Sequence, residues 1–152
     1  KTAWTLDLRQ ENSEWKAIAA PPFQRRALSQ AAWNGKMYCI GGMKMEGEPT
    51  TQTNVYDPAT DSWSAAPSLI GTAMDGFGTS AFACAENLYV STISGSLQRL
   101  TEDGGKWEFV SQFDHPRFFH RMLPWKSSSL VSVGGANMSI GKVMEVDQIS
   151  VK

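Results

Sequence analysis

Apolar and polar positions alternate in short runs along this chain, and most runs end on a turn signal. Met37-Tyr38-Cys39-Ile40 closes on Gly41-Gly42, and Leu130-Val131-Ser132-Val133 closes on Gly134-Gly135. Between them, Asn87-Leu88-Tyr89-Val90 repeats the pattern, with Ser91-Thr92 where a glycine doublet would stand. Runs of this length with period two predict short β-strands, and no segment carries a helical period. A second marker keeps step with the first. An alternating segment, a polar turn and a tryptophan recur together, ending on Trp15, Trp63 and Trp107. Two unrelated markers sharing a spacing of about 45 residues identify an internal repeat of four-stranded units.

The repeat resembles the kelch motif: an apolar strand ending in Gly-Gly, a Tyr-Asp-Pro strand, then Trp after a turn. One unit holds all of it, with Asn34-Gly35, Tyr38, Gly41-Gly42, Tyr56-Asp57-Pro58 and Trp63. The next keeps Tyr89 and Trp107 without the doublet. The last keeps Gly134-Gly135 and has Met144-Glu145-Val146 in place of Tyr-Asp-Pro. The resemblance implies an all-β, kelch-type β-propeller of about three four-stranded antiparallel blades. Residues 1–21 are expected to form outer strands of a preceding blade. Blade one then spans 22–66, blade two 67–110 and an incomplete blade three 111–152.

Strands A to D of each blade run from the channel outward. In blade one the pattern gives A near Leu28–Trp33, B at Lys36–Gly42, C at Thr53–Asp57 and D from Trp63. In blade three it places C at Lys142–Val146. Strand B, buried between neighbouring blades, must turn where backbones come close, which glycine permits. Trp15, Trp63 and Trp107 are expected to pack between blades.

Propellers use about four to eight blades. Three would leave two apolar faces open, more than a soluble monomer ordinarily exposes. The chain is therefore expected to be similar to the C-terminal half of a six-bladed ring. A second half-propeller, either another copy or a separate N-terminal half, should complete it. An extra C strand at Trp4–Leu8 fits the two-copy arrangement poorly.

Composition narrows the function. A formal charge of −1 disfavours a dedicated nucleic-acid surface, and no long apolar window suggests a membrane span. Cys39 and Cys84 fall at different repeat positions, so they are expected unpaired, which favours a reducing, cytoplasmic compartment. Metal-ligand spacings, nucleophile elbows and phosphate loops are absent, so neither metal nor other cofactor is expected.

Candidate binding residues lie on the loops of one ring face. They are Arg25, Arg26, Asp75, Phe77, His115, Arg117, Phe118 and Asn137. Kelch domains that bind acidic peptides place arginines at the start of strand A, so the resemblance implies that Arg25, Arg26 and Arg117 grip carboxylates. The bland reading has them holding blades in register. His115 and His120 titrate near neutrality, but their spacing fixes no shared face, and His120 reads as a satisfied inner-strand residue. Asn137-Met138-Ser139 matches a glycosylation sequon that chance also supplies. The leading expectation is a non-catalytic protein- or peptide-interaction module. The alternative is a sugar-acting enzyme resembling a sialic-acid mutarotase, with Arg117 on a carboxylate and His120 or Asp75 moving a proton.

Overall fold

A computed structural model describes residues 1–151. Seventeen strands and one 3-10 turn, Ala73–Gly76, make up its regular structure. β1 (Ala3–Thr5) and β2 (Lys16–Ile18) form an antiparallel pair. β3 (Arg25–Arg26) leads into blade one, whose sheet is β4 (Ser29–Trp33), β5 (Lys36–Ile40), β7 (Thr53–Asp57) and β8 (Ser62–Ala66) in spatial order. β6 (Met43–Lys44) pairs back onto β3. Blade two is β9 (Ser80–Cys84), β10 (Asn87–Ser91), β11 (Ser96–Leu100) and β12 (Trp107–Gln112). Blade three is β13 (Arg121–Trp125), β14 (Ser129–Val133) and β17 (Asp147–Ser150), with β15 (Ala136–Asn137) and β16 (Gly141–Lys142) as a separate small hairpin. No helix is long and apolar enough to cross a membrane.

Turn chemistry explains the A–B hairpins. Trp33 pairs with Lys36 across Asn34 (φ 48°) and Gly35 (φ 70°), the two positive φ values of a type I′ turn. Blade two repeats this geometry with Ala85 (φ 46°) and Glu86 (φ 65°), two residues that enter the left-handed region at a cost. Trp33 donates its indole N–H to the carbonyl of Glu86 and so ties the two turns together.

The glycine doublets stand where the sequence pattern puts them. A Cβ on Gly42 would lie 2.8 Å from the Arg26 carbonyl oxygen, and one on Gly135 2.6 Å from that of Phe118. In both blades the end of strand B therefore lies against the backbone leading into strand A. Blade two dispenses with the doublet because its B–C connection is a tight turn, in which Gly95 N–H donates to Thr92.

Blade three corrects the expected strand C. Its third strand is Asp147–Ser150, paired with Ser129–Ser132, and not Lys142–Val146. Gly141–Lys142 instead folds back on Ala136–Asn137. Cys39 lies in β5 and Cys84 ends β9. Both cysteines are unpaired and buried.

Two interblade cores hold the chain together. Ile40, Leu88, Val90, Leu100 and Trp107 are buried between blades one and two. Tyr89, Leu97, Met122 and Leu130 are buried between blades two and three. The Trp63 indole N–H donates to the Ala19 carbonyl (2.8 Å), and that of Trp107 to the Pro67 carbonyl (2.9 Å). Trp15, at the start of β2, is 65% exposed. At the other end Leu123, Trp125 and Val133 are exposed on one face of blade three.

Candidate functional site

A rim of left-handed residues organises the inner edge. Ala27 (φ 55°), Gly78 (φ 63°) and Phe119 (φ 55°) occupy the same place in successive blades, two residues before the first strand. Gly78 N–H donates to the Ala27 carbonyl (3.0 Å) and Phe119 N–H to the Gly78 carbonyl (2.9 Å). This ladder aligns the three innermost strands. Along them runs a concavity of about 610 Å³ whose lining includes Arg25, Arg26, Gln30, Ser80, Phe82 and Arg121.

Three arginines reach this groove in different states. Arg25 lies over the Phe23 ring (4.1 Å) and donates to the Gln52 carbonyl (2.6 Å) and the Asn54 side chain (2.7 Å). Burial lowers its pKa, and the nearby Cys39 pulls the other way. Its Nε–H is buried without a partner. Arg26 and Arg121 are exposed, and Arg26 touches only the Met43 sulfur through its head group (3.3 Å). Among the described residues, none of the three forms an ion pair. Arg121 follows directly on the polar-aromatic stretch 114–120. Its signal in the sequence is a cation on an inner strand where the other blades carry Ser29 and Ser80.

Arg117 sits elsewhere. It is 2% exposed and closed inside blade three. Its Nε–H donates to the His115 carbonyl, one Nη to the carbonyls of Gly134 and Glu145, and the other to Asp147 (2.7 Å). His115 shares the same carboxylate through Nδ1 (2.6 Å). That hydrogen bond raises the histidine's pKa, against the opposing effect of desolvation. The trio anchors β17 to the loop entering blade three. Arg117 therefore ties the loops of one blade to β17, and none of its hydrogen bonds reaches a neighbouring blade.

His120 is 1% exposed, with Nε2 against the Ser91 hydroxyl across the interblade seam and Nδ1 unpartnered. Burial, then Arg117 and Arg121, lower its pKa to about 4, so the ring is neutral at pH 7. Asp75 is buried in the 3-10 turn and accepts from the Thr72 backbone (2.8 Å) and hydroxyl. Burial opposes its ionisation, yet the polar groups around it, the Ser94 and Thr92 hydroxyls and Thr72, outweigh this and lower its pKa. Phe77, Phe118 and Phe119 form one aromatic cluster with centroids 5.1–5.6 Å apart. Asn137 donates to the Pro116 carbonyl and accepts from Ser139 N–H. Of the expected site residues, only Arg25 and Arg26 line the groove. His115, Arg117 and Asn137 join loops to strands, and Asp75 caps its own 3-10 turn. No cluster of metal-binding side chains occurs among the described residues.

Comparison with known proteins agrees with this architecture. Residues 25–70 match the Kelch motif. The solved structure titled "Structure of YjhT" superposes with a TM-score of 0.80 at 18% identity, covering 100% of this chain and 50% of that one. No curated protein matches. At that identity the likeness carries the fold alone, and the chain spans half the length of its structural neighbour. The chain thus has an all-β fold of about three antiparallel propeller-like blades around a common inner edge, similar to that solved structure, and carries a Kelch motif across blade one.

Proposed function

We propose that this half-ring is a non-catalytic protein- or peptide-binding module, completed by another half-propeller, that takes an acidic, extended ligand along its inner groove. The observation that carries the reading is the groove itself. Arg26 and Arg121 are exposed cations without carboxylate partners, Arg25 is held in place by Phe23 and Asn54, and Phe82 adds an apolar contact. Charge-assisted hydrogen bonds from arginine to carboxylate suit such a ligand, and each contributes about 1.5–3 kcal/mol. The Kelch motif includes two of these arginines.

Calorimetry with an Asp/Glu-rich synthetic decapeptide tests it. Arg26→Ala and Arg121→Ala should each weaken binding about tenfold or more while the protein stays folded. Unchanged affinity in the double variant overturns the proposal.

The same arginines favour a second reading, a sugar-acting enzyme of the sialic-acid mutarotase kind, because they would also hold a carboxylated sugar. Arg117, His120 and Asp75 are poor candidates for its chemistry, since all three are buried. Mutarotation followed by NMR on the completed ring decides this; a rate equal to buffer removes it.

A further inference from the structure

The arginine groove does not end at its basic rim. It runs on along the inner edge into a smaller recess of about 260 Å³, and the two share Gln30, Ala81 and Phe82. Ala31, Ala32 and Ala83 complete the lining of the recess, so its walls are almost wholly apolar. It lies between β4 and β9, the innermost strands of the two four-stranded blades. Its origin is visible in the sequence. Counted from the left-handed rim residues, blade one carries Gln30-Ala31-Ala32 and blade two Ala81-Phe82-Ala83, where blade three has Met122-Leu123-Pro124. Alanine stops at Cβ, and the space beside these two strands is left unfilled.

The two parts of the cavity ask for different chemistry on one ligand. Arg26 and Arg121 are exposed cations at the mouth, and Arg25 is fixed beside them. By the same count Arg121 stands level with Ser29 and Ser80, and Ala32 and Ala83 stand three residues further along. Three residues of extended strand cover roughly 10 Å. Water in an alanine-lined recess finds few hydrogen-bond partners, so an apolar group displaces it favourably. We infer that the recess takes a bulky apolar side chain of leucine or phenylalanine size, carried by the acidic ligand about two or three residues from a carboxylate. The occupant is thus a bipartite segment, acidic at the mouth and apolar within. This rests on the reading of the groove as an acidic-peptide site and adds its specificity. Arginines alone accept any acidic segment; the recess selects among them.

Calorimetry with paired decapeptides tests this. One is Asp/Glu-rich with a central alanine, and the other has leucine at that position. Leucine should tighten binding about tenfold, and the gain should grow along the series alanine, valine, leucine. Arg26→Ala should weaken both peptides alike. Ala32→Phe, at an exposed position of β4, fills the recess. It should cancel the leucine gain while the alanine peptide binds as before. Should that variant unfold, moving the leucine to the far end of the peptide asks the same question of the unaltered protein, and the gain should vanish. Equal affinity for the leucine and alanine peptides overturns this inference and leaves the groove reading standing. A gain that survives Ala32→Phe, or that ignores where the leucine stands, also overturns it. Binding of neither peptide removes both readings together.

Discussion

Single residues carry measurable shares of this fold. Ala85 and Glu86 occupy a turn that asks for Asn-Gly, and Asn34-Gly35 shows the better solution one blade earlier. Ala85→Asn with Glu86→Gly should raise stability by about 1 kcal/mol, seen as a higher urea midpoint with an unchanged slope. The last glycine doublet separates two effects. A Cβ on Gly134 meets nothing within 4 Å, so Gly134→Ala pays only for its left-handed φ, about 1 kcal/mol. Gly135→Ala adds a clash with the Phe118 carbonyl and should cost about 3 kcal/mol or more. The two histidines pull stability in opposite directions with pH. Folded His120 has a pKa near 4, below its unfolded value, so the unfolded chain takes up its proton first and stability falls between about pH 6.5 and 4. The pKa of His115 is raised, so its contribution is complete below the unfolded value and is lost as pH rises through the folded one. Urea midpoints across pH should show the acid-side loss shrink in His120→Gln and the alkaline-side loss shrink in His115→Gln.

At the scale of elements, the tryptophans divide into two kinds that their shared spacing hides. Trp107 is 4% exposed and donates its N–H, so Trp107→Phe leaves the Pro67 carbonyl without its donor and should cost about 1–3 kcal/mol. Trp15→Phe should change stability by less than about 0.5 kcal/mol. Chemical denaturation of both variants checks the contrast. The period made blades one and two legible because turn residues and alternation agree there. Strand C of blade three was not legible for a physical reason. Val143-Met144-Glu145-Val146 has the apolar character of a strand, but the carboxylate of Asp147 is tied to Arg117 and His115, some thirty residues earlier. That tie places the next four residues against β14. The site was less legible than the fold. Arg25 and Arg26 were visible from their place before strand A. The internal use of Arg117 depends on carbonyls of Gly134 and Glu145 that no local pattern reveals.

The whole molecule is an arc with unlike ends. One end offers β1 and β2, with Trp4 and Trp15 exposed; the other offers Leu123, Trp125 and Val133. Apolar surfaces of this kind drive association. The isolated chain should show concentration-dependent, open-ended association in sedimentation velocity. Leu123→Lys with Trp125→Glu should return it to a 16.7 kDa species. Association unaffected by that pair would place the sticky surface elsewhere.

The Ala27–Gly78–Phe119 ladder gives the arc a direction. Every blade hands an amide hydrogen backward to the blade before it, so one end of the series is left holding an amide and the other a carbonyl. Such a chain has the sense of a one-way street. A half-ring of the kind proposed above would have to circulate the same way round the channel, presenting oxygen to Ala27 and hydrogen to Phe119. An arriving half turned upside down would set like poles face to face.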